Sequence, residues 1–529
     1  MRKWVFGRVH QSSVVMGFLI GIVVGIIGAA VFRMSFFSSW YWVIFSTLLL
    51  LFGIWRANYL MVVVAVLAGG VLGGFRVGSE VRGQKVLSQL VGKIIVVSGR
   101  VKGDPDFEEN SGKIKLNSLE IDGKSVPGTV YLSGRLEDII QRDDRLTIRG
   151  KMSNGFGVYF GSFYSPEILQ LSRPEPGSFL IRARNKLAKT IKGVAKDKER
   201  EANLGISYLL GLRNGLDKEL TEMLSLVGLT HLVVASGTHL GILVEFFRKV
   251  FGKLSRFSGV YFSILFIMLF GGMIGWTASI TRAAIVAILG ILGWYLGRSI
   301  PAWRLILVAM ALTLMVSPMN FLDLGWLLSF GSFIGIMILG PSLKSFFYDR
   351  PGGKLVKHGK KTVYIFPKGY KRIEKPGAVA EIILATVSAT MMCAPILLYY
   401  FGTISLISLV ANLLVLPTIP FAMGLTFLVG VLGIGVEIFG GFWFLTVVEK
   451  IVVKITTILL SYHIGVMSFF SEQKSFLVEI PKGDVRVLLL YIPILIPFLI
   501  AGLVNLKNQR KQERLFHEEP EKYLRFSVD

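Results

Sequence analysis

Long runs of apolar residues constrain this chain more than any other feature. Three runs open it, at residues 14–32, 40–55 and 59–75. An α-helix needs about 20 mostly apolar residues to cross the ~30 Å hydrocarbon core of a bilayer. With 53% hydrophobic residues, 17% charged residues and a mean hydropathy of +0.61, the chain is too apolar for a soluble protein of 529 residues. We therefore predict a polytopic α-helical membrane protein whose first run is an uncleaved anchor, since no small-residue cleavage site follows it.

The segment 79–172 has a different pattern from the apolar runs, 1–78, that precede it. Short β-branched stretches such as KIIVVSGRV and GTVYLSGRL alternate there with glycine and aspartate. This spacing is typical of a small five-stranded β-barrel or sandwich, so we predict an inserted β domain. The next residues, 173–200, place apolar positions three and four apart with lysines and arginines between them. They predict a basic amphipathic helix at the membrane surface.

The remaining apolar runs predict a helical core over residues 201–505, which gives about 12 spans in all, give or take two. A polar loop, 341–376, divides this core and carries ten Lys or Arg against two acidic residues, and a charged tail, 506–529, closes the chain. Because lysine and arginine are enriched in cytoplasmic loops, we expect the N-terminus, this loop and the tail to be cytoplasmic. The β domain is then extracytoplasmic, on a multi-pass protein of the plasma (inner) membrane. The net charge of +24 follows largely from this topology and does not indicate an acidic partner.

The stretch GLTHLVVASGTHLG, residues 228–241, places polar groups where a membrane helix is normally apolar throughout. His231 and His239 would lie about 12 Å apart along a continuous helix, so one metal ion cannot bridge them. Ser236 and His239 could form a nucleophile pair, but no carboxylate lies in register to orient the imidazole. Small residues such as Gly237 also allow close helix packing. Since polar groups at membrane depth usually face a cavity or pathway, we favour a wet pore or its gate.

Other polar or helix-breaking residues lie near the ends or breaks of predicted spans. They are Arg282, Asp323, Ser329, Asn412 and Pro417. Each has an ordinary interpretation: Arg282 can reach the interface, Asp323 can cap a helix, and Asn412 with Pro417 can break one. Together they favour a translocation path over an inert helix bundle.

Four stretches, in order, carry a more specific pattern. They read LLGLRNGLDKELTEMLSLVGLTHLVVASGTHLGIL, SITRAAIVAILGILGWYLGR, NFLDLGWLLSFGSFIGI and APILLYYFGTISLISLVANLLVLPTIP. Their order and spacing resemble the ComEC competence family of DNA-uptake channels, and the resemblance extends from the N-terminal spans to about Val504. The chain departs from the family pattern at Leu212, where an acidic residue is expected, and at Thr238, where leucine is usual.

The resemblance implies an inner-membrane channel that passes one DNA strand into the cytoplasm, with a β domain similar to an OB fold. It implies DNA and the lipid bilayer as partners, together with a separate DNA receptor, a nuclease and a cytoplasmic motor ATPase. No G-x-x-x-x-G-K-[ST] run for ATP occurs in the sequence. Only 25 residues follow Val504, so we expect a short form without the C-terminal metallo-β-lactamase-like domain of many relatives. A homo-oligomer is compatible with the sequence.

Aromatic residues in the stretch NGFGVYFGSFY could stack DNA bases, namely Phe156, Tyr159 and Phe160. Residues 80–172 carry 13 Lys or Arg against 12 Asp or Glu, so a structural or docking role is favoured there. No cofactor or metal is expected, since Cys393 is the only cysteine. Two other functions stay open: a secondary transporter for a small solute, because broken helices serve such proteins too, and a membrane-embedded hydrolase using Ser236 and His239.

Overall fold

The computed structural model describes residues 9–32, 39–108, 111–136, 140–173, 179–233, 237–253, 255–298, 300–348, 354–358, 361–365, 377–473 and 477–484, with single positions between 486 and 500. The chain forms two compact units. The first comprises Met1–Ser225, Leu229–Leu327 and Thr418–Gly465, and the second comprises Leu226–Gly228, Leu328–Pro417 and Val466–Asp529.

Three helices open the first unit: α1 (Gln11–Val31), α2 (Tyr41–Arg56) and α3 (Tyr59–Ser88). Glycines bring the backbones of α1 and α3 into contact, since a Cβ on Gly21 would lie 2.0 Å from the carbonyl oxygen of Val66. The Asn58 side chain caps α3 by accepting from the Met61 amide at 2.9 Å. At 30 residues, α3 is about 45 Å long. It therefore extends past a bilayer core and leads directly into the β domain.

The β domain is a closed five-stranded barrel. Its strands are β1 (Ile94–Val101), β3 (Ser111–Ile121), β5 (Val130–Gly134), β6 (Arg145–Asn154) and β7 (Gly161–Tyr164), with β2 (Asp106–Glu108), β4 (Lys124–Val126) and β8 (Glu167–Ser172) paired at its margins. The barrel order is β1-β3-β5-β7-β6, and β6 closes it by pairing with β1. Strands β5 and β7 run parallel and the other neighbours run antiparallel. Alternate residues such as Ile114, Leu116 and Leu132 are buried, which confirms the predicted small β domain.

The first unit continues with helices that follow the barrel in the chain. They are α4 (Phe179–Val194), α5 (Glu199–Leu210), α6 (Lys218–Leu226), α7 (Thr230–Val233), α8 (Gly237–Phe251), α9 (Arg256–Ile274), α10 (Ala278–Tyr295) and α11 (Ala302–Val316), followed by a 3-10 turn (Pro318–Leu322) and the start of α12 (Leu324–Tyr348), which belongs to the second unit from Leu328 onward. Two later helices, α15 (Ile419–Ile438) and α16 (Trp443–Ser471), also belong mainly to this unit.

Helix α4 differs from the predicted surface helix because protein covers its apolar face. Leu187 packs so closely on α15 that a Cβ on Gly430 would lie 2.4 Å from the Leu187 Cδ1 atom. Arg184, which the sequence pattern assigned to the polar face, is 4% exposed and pairs with Asp104. Amphipathic spacing identifies an apolar face but cannot show whether lipid or protein covers it.

The second unit contains α13 (Ala378–Phe401), α14 (Ser408–Val415) and two small sheets. Strand β11 (Thr403–Ser405) pairs with β12 (Leu477–Glu479), and β9 (Lys354–His358) pairs with β10 (Lys361–Ile365). The predicted loop 341–376 therefore begins inside a helix, because α12 continues past Pro341 to Tyr348, and it contains a β-hairpin. A proline removes one backbone donor without ending every helix.

Among the described residues, seven helical segments are long and apolar enough to cross a membrane: Gln11–Val31, Tyr59–Ser88, Phe257–Ile274, Ala278–Tyr295, Leu324–Lys344, Val379–Phe401 and Ser408–Ile438. Two shorter apolar helices are Tyr41–Arg56 and Ala302–Val316. The protein is thus a multi-pass membrane protein with a β domain, and the expected number of about 12 spans stays a prediction.

Candidate nucleic-acid path

The described residues of the polar stretch 228–241 lie mainly in two helices. Helix α7 ends at Val233 and α8 begins at Gly237. His231 is exposed, whereas His239 is 1% exposed and is hydrogen-bonded to the backbone of Leu232. Ser236 lies outside the described residues, so the Ser236–His239 hydrolase pair stays a prediction.

Arg282 lies against the first residue of α8. It occupies the second turn of α10, a helix capped by the Thr277 side chain, and it is 8% exposed. A Cβ on Gly237 would lie 2.9 Å from the Arg282 Nη2 atom and 3.2 Å from the Ala283 Cβ atom. Only glycine at position 237 leaves room for this approach of the guanidinium.

Two positive groups meet at this contact. The first amides of α8 carry the partial positive charge of a helix N-terminus, and the Arg282 guanidinium adds a full charge beside Gly237. Such a pair is well suited to an anion, because backbone N–H groups and a guanidinium are both strong donors to phosphate oxygens. The arrangement can therefore hold an anion transiently at the start of α8, next to the buried His239.

The other predicted path residues are described by their own local surroundings. The Asp323 carboxylate accepts from the Trp326 amide at 2.9 Å, so it caps α12. Ser329, Asn412 and Pro417 belong to the second unit. Pro417 lies in a 3-10 turn, Leu416–Thr418, that separates α14 from α15. Asn412 is 6% exposed, and within the described part of the chain its Oδ1 atom accepts no hydrogen bond.

The predicted base-stacking residues of the barrel divide into exposed and buried members. Phe156 is 53% exposed and packs edge-on against Tyr159, with ring centroids 5.1 Å apart. Phe160 is only 7% exposed, and its ring covers Gly128, where a Cβ would lie 2.5 Å away. A base therefore cannot reach Phe160 in this conformation. The prediction that DNA bases stack on aromatic rings now applies to Phe156 and Tyr159.

Sequence reasoning missed Tyr131, which completes this aromatic cluster. Its ring centroid lies 5.2 Å from Phe156 and 5.1 Å from Tyr159. Tyr131 lies on β5 opposite Lys115 of β3. The pairing of strands brings Tyr131 close to Phe156 and Tyr159, and no spacing within the sequence could have shown this contact.

Lysines surround the aromatic cluster although the domain as a whole is almost neutral. Lys113 lies opposite Ser133 on the same pair of strands, and the Lys102 amide donates to the Lys115 carbonyl at 2.7 Å. Desolvation lowers the pKa of Lys102, and the neighbouring charge of Lys115 lowers it further. Desolvation raises the pKa of Tyr131, while Lys113 and Lys115 lower it. The aromatic–lysine face, defined as Tyr131, Phe156, Tyr159, Lys113 and Lys115, combines stacking surfaces with positive charge.

A second buried polar cluster lies where α5 meets α16, and the sequence analysis did not identify it. His463 is fully buried, and its Nε2 atom lies 2.7 Å from the Thr418 Oγ1 atom. The Tyr208 ring lies edge-on to the same imidazole at 5.7 Å between centroids. No group of three or more His, Cys, Asp or Glu that could hold a metal ion occurs in the part of the chain that the structure describes.

These features define a polytopic membrane protein with a closed β-barrel inserted after its third helix and a close approach of Arg282 to Gly237, the first residue of α8. The chain belongs to the competence protein family, whose model matches residues 208–504, more than half of its length. This match confirms the family resemblance seen in the sequence. The barrel and helices α1 to α3 precede the matched region.

One relative is ComE operon protein 3 of Bacillus subtilis (strain 168), which is 24% identical over 221 residues. The match covers 40% of this chain and 24% of that protein, so the chain spans about a quarter of the relative's length. No solved structure matches the chain.

Proposed function

We propose that the chain forms a channel that passes DNA, as a single strand, across the cytoplasmic membrane during natural transformation. The observation that carries this proposal is the contact between the Arg282 guanidinium and the N-terminus of α8 at Gly237. A translocated strand presents one phosphate after another, and each can be held briefly by these donors. Membership of the competence protein family supports DNA as the substrate. The DNA receptor, the nuclease and the motor ATPase are separate proteins in this proposal.

Contacts within the first unit support a topology with the barrel outside. Arg76 donates to the carbonyl oxygens of Met315 at 2.7 Å and Val316 at 2.8 Å, at the carboxyl end of α11. A Cβ on Gly157 of the barrel would lie 3.8 Å from the carbonyl oxygen of Leu322. The barrel and the carboxyl end of α11 therefore share one side.

Positive residues lie at the other ends of the helices. Arg248 of α8 stacks over Trp294 near the end of α10, at 5.9 Å from the ring centroid. The Val9 amide donates to the carbonyl of Ala57 at 2.7 Å, which joins the N-terminus to the turn after Arg56. Cytoplasmic loops are enriched in arginine and lysine, so both positions fit the cytoplasmic side.

The barrel is best interpreted as an OB fold that receives the strand. Its closed order and its parallel pair β5–β7 match a five-stranded Greek-key barrel. In OB folds, the face of the second and third barrel strands and the loop between the fourth and fifth bind oligonucleotides. These correspond to β3, β5 and the loop that carries Phe156. In this proposal, bases stack on the aromatic–lysine face while Lys113 and Lys115 face the phosphates.

Substitutions of Arg282 test the channel. Lysine keeps the charge but loses the planar fork that holds a phosphate in two bonds, so Arg282→Lys should lower DNA uptake in part and Arg282→Ala much further. Uptake of labelled DNA into a nuclease-protected compartment is measured per membrane-inserted molecule, in the source organism. Arg56→Ala removes an exposed arginine that stacks on Trp55 and is the control. Normal uptake per molecule by Arg282→Ala would refute the proposal.

A secondary transporter for a small anionic solute is the second candidate, because half-helix N-termini such as that of α8 also bind anionic groups of substrates. The same Arg282→Ala variant separates the two. DNA uptake at the normal rate, together with loss of solute transport, would favour the transporter.

A further inference from the structure

A buried arginine of the barrel caps a membrane helix. The Nη2 atom of Arg142 donates to the carbonyl oxygens of Gly272 at 2.7 Å and Met273 at 3.0 Å. Both carbonyls belong to the last turn of α9, where intrahelical donors are lacking. A cation at this end also interacts favourably with the helix dipole. Arg142 therefore ties the barrel to the end of α9.

The charge of Arg142 is balanced by a carboxylate that a second arginine shares. Asp104 Oδ2 lies 4.0 Å from Arg142 Nη1 and accepts from Arg184 Nη1 at 2.7 Å. The two arginine side chains are 7% and 5% exposed. Burial lowers the pKa of Arg142, and Asp104 opposes that shift. A buried charge without a partner is costly. The contacts through which Arg142, Asp104 and Arg184 join the barrel, α4 and α9 therefore tolerate little displacement.

The capped turn leads directly to the helix that carries Arg282. Helix α9 ends at Gly275, whose φ is +106°, and a Cβ there would lie 2.6 Å from Arg142 Nη1. Glycine is required for this backbone conformation and for the approach of Arg142. Thr277 then caps α10, and Arg282 follows five residues later, about 7.5 Å along the helix. The barrel is thus anchored at the end of the helix that directly precedes α10, which carries the proposed anion site.

We propose that Arg142 is a positioning residue for translocation: it seats the barrel so that a strand leaving the aromatic–lysine face is delivered to Arg282. This inference rests on the proposed channel function. Arg142 is itself buried among protein groups and acts through the position of the barrel.

Substitutions of Arg142 should slow uptake without changing how the barrel binds DNA. Misplacing a reacting group by about an ångström can lower a rate by about a hundredfold. Displacing the barrel affects delivery of the strand in the same way, so Arg142→Ala should lose at least about tenfold in uptake per inserted molecule. Arg142→Lys keeps a donor and the charge toward Asp104 and should lose less. Affinity of the purified chain for single-stranded DNA should be unchanged in both. Arg145→Ala, which removes an exposed barrel arginine paired with Glu120, is the matched control and should be normal.

A cross-link that restores the position of the barrel distinguishes positioning from a general folding role. In a Cys393→Ser background, cysteines replace Gly157 and Leu322, where a Cβ on Gly157 would lie 3.8 Å from the Leu322 carbonyl oxygen, and a short bifunctional thiol reagent joins them. Cross-linking should restore most of the uptake of Arg142→Ala, measured against the same variant without reagent. Normal uptake by Arg142→Ala, or a loss that the cross-link leaves unchanged, would overturn the inference. Failure of the channel proposal would appear separately, as normal uptake by Arg282→Ala.

Discussion

At position 237, the absence of one methyl group controls how closely the Arg282 guanidinium approaches helix α8. The clash that a Cβ would create, at 2.9 Å, is with the end of a flexible side chain. Gly237→Ala should therefore displace the guanidinium and leave the fold intact, since alanine also favours the helix by up to about 1 kcal/mol. We expect DNA uptake per inserted molecule to fall severalfold with no loss of thermal stability.

Gly241 provides the matched control for this variant. It lies one turn further along α8, and a Cβ there would meet nothing within 4 Å in the described structure. Gly241→Ala should transport normally and be at least as stable as the native chain. Equal uptake by the two alanine variants would contradict a role for the Gly237–Arg282 contact.

The sequence identified Gly237 and Arg282 as candidates but could not bring them together. They are 45 residues apart on different helices, and their contact depends on how α8 and α10 pack. The same limit explains Phe156 and Phe160, which look alike in the sequence. Phe160 directly precedes β7 and faces Gly128 inside the domain, whereas Phe156 lies in the loop. The direction of each ring depends on the conformation of the loop and on packing inside the domain, which composition does not encode.

At the scale of elements, the proposed function predicts that the loop between β6 and β7 contributes to DNA binding separately from the rest of the barrel. Stacking of one base on an aromatic ring contributes about 1–3 kcal/mol, so Phe156→Ala should weaken single-strand binding by the purified chain about 5- to 150-fold. Leu169 of β8, an exposed apolar residue that is not part of the aromatic–lysine face, is the control, and Leu169→Ala should bind normally. Phe160→Ala should instead destabilise the barrel by about 3–5 kcal/mol, as buried aromatic truncations do.

An alternative interpretation treats the aromatic cluster purely as a docking surface. It forecasts that Phe156→Ala keeps its DNA affinity, as measured by fluorescence anisotropy with a labelled oligonucleotide. That outcome would exclude base stacking on this cluster as part of DNA binding.

Helix α4 shows which properties of an element can be predicted and which cannot. Apolar spacing of three and four residues correctly predicts a helix over most of 173–200, since Phe179–Val194 is helical. The spacing cannot predict that Arg184 faces inward, because its partner Asp104 lies 80 residues earlier in the barrel. Long-range pairing of this kind changes a surface helix into one that joins the barrel to the membrane helices.

At the scale of the whole molecule, the orientation of the chain in the membrane is easier to predict from its charges than the number of spans is from its apolar runs. Orientation depends on lysines and arginines summed over loops, which needs no knowledge of tertiary contacts. The number of spans depends on where helices break, as at the 3-10 turn Leu416–Thr418, which contains Pro417. The topology is therefore the property of the whole chain that a labelling experiment can test most directly.

The chain offers a low background for such an experiment, because Cys393 is its only thiol and is 7% exposed. In a Cys393→Ser background, single cysteines replace Lys124, in an exposed barrel hairpin, and His358, in the hairpin of the predicted cytoplasmic loop. A membrane-impermeant maleimide should label position 124 in intact cells and position 358 only after permeabilisation. The expected order follows from the ten lysines and arginines of the loop 341–376, which favour retention in the cytoplasm. Labelling of position 358 but not 124 in intact cells would invert the topology, place the aromatic–lysine face on the cytoplasmic side and exclude the barrel as the entry point for DNA.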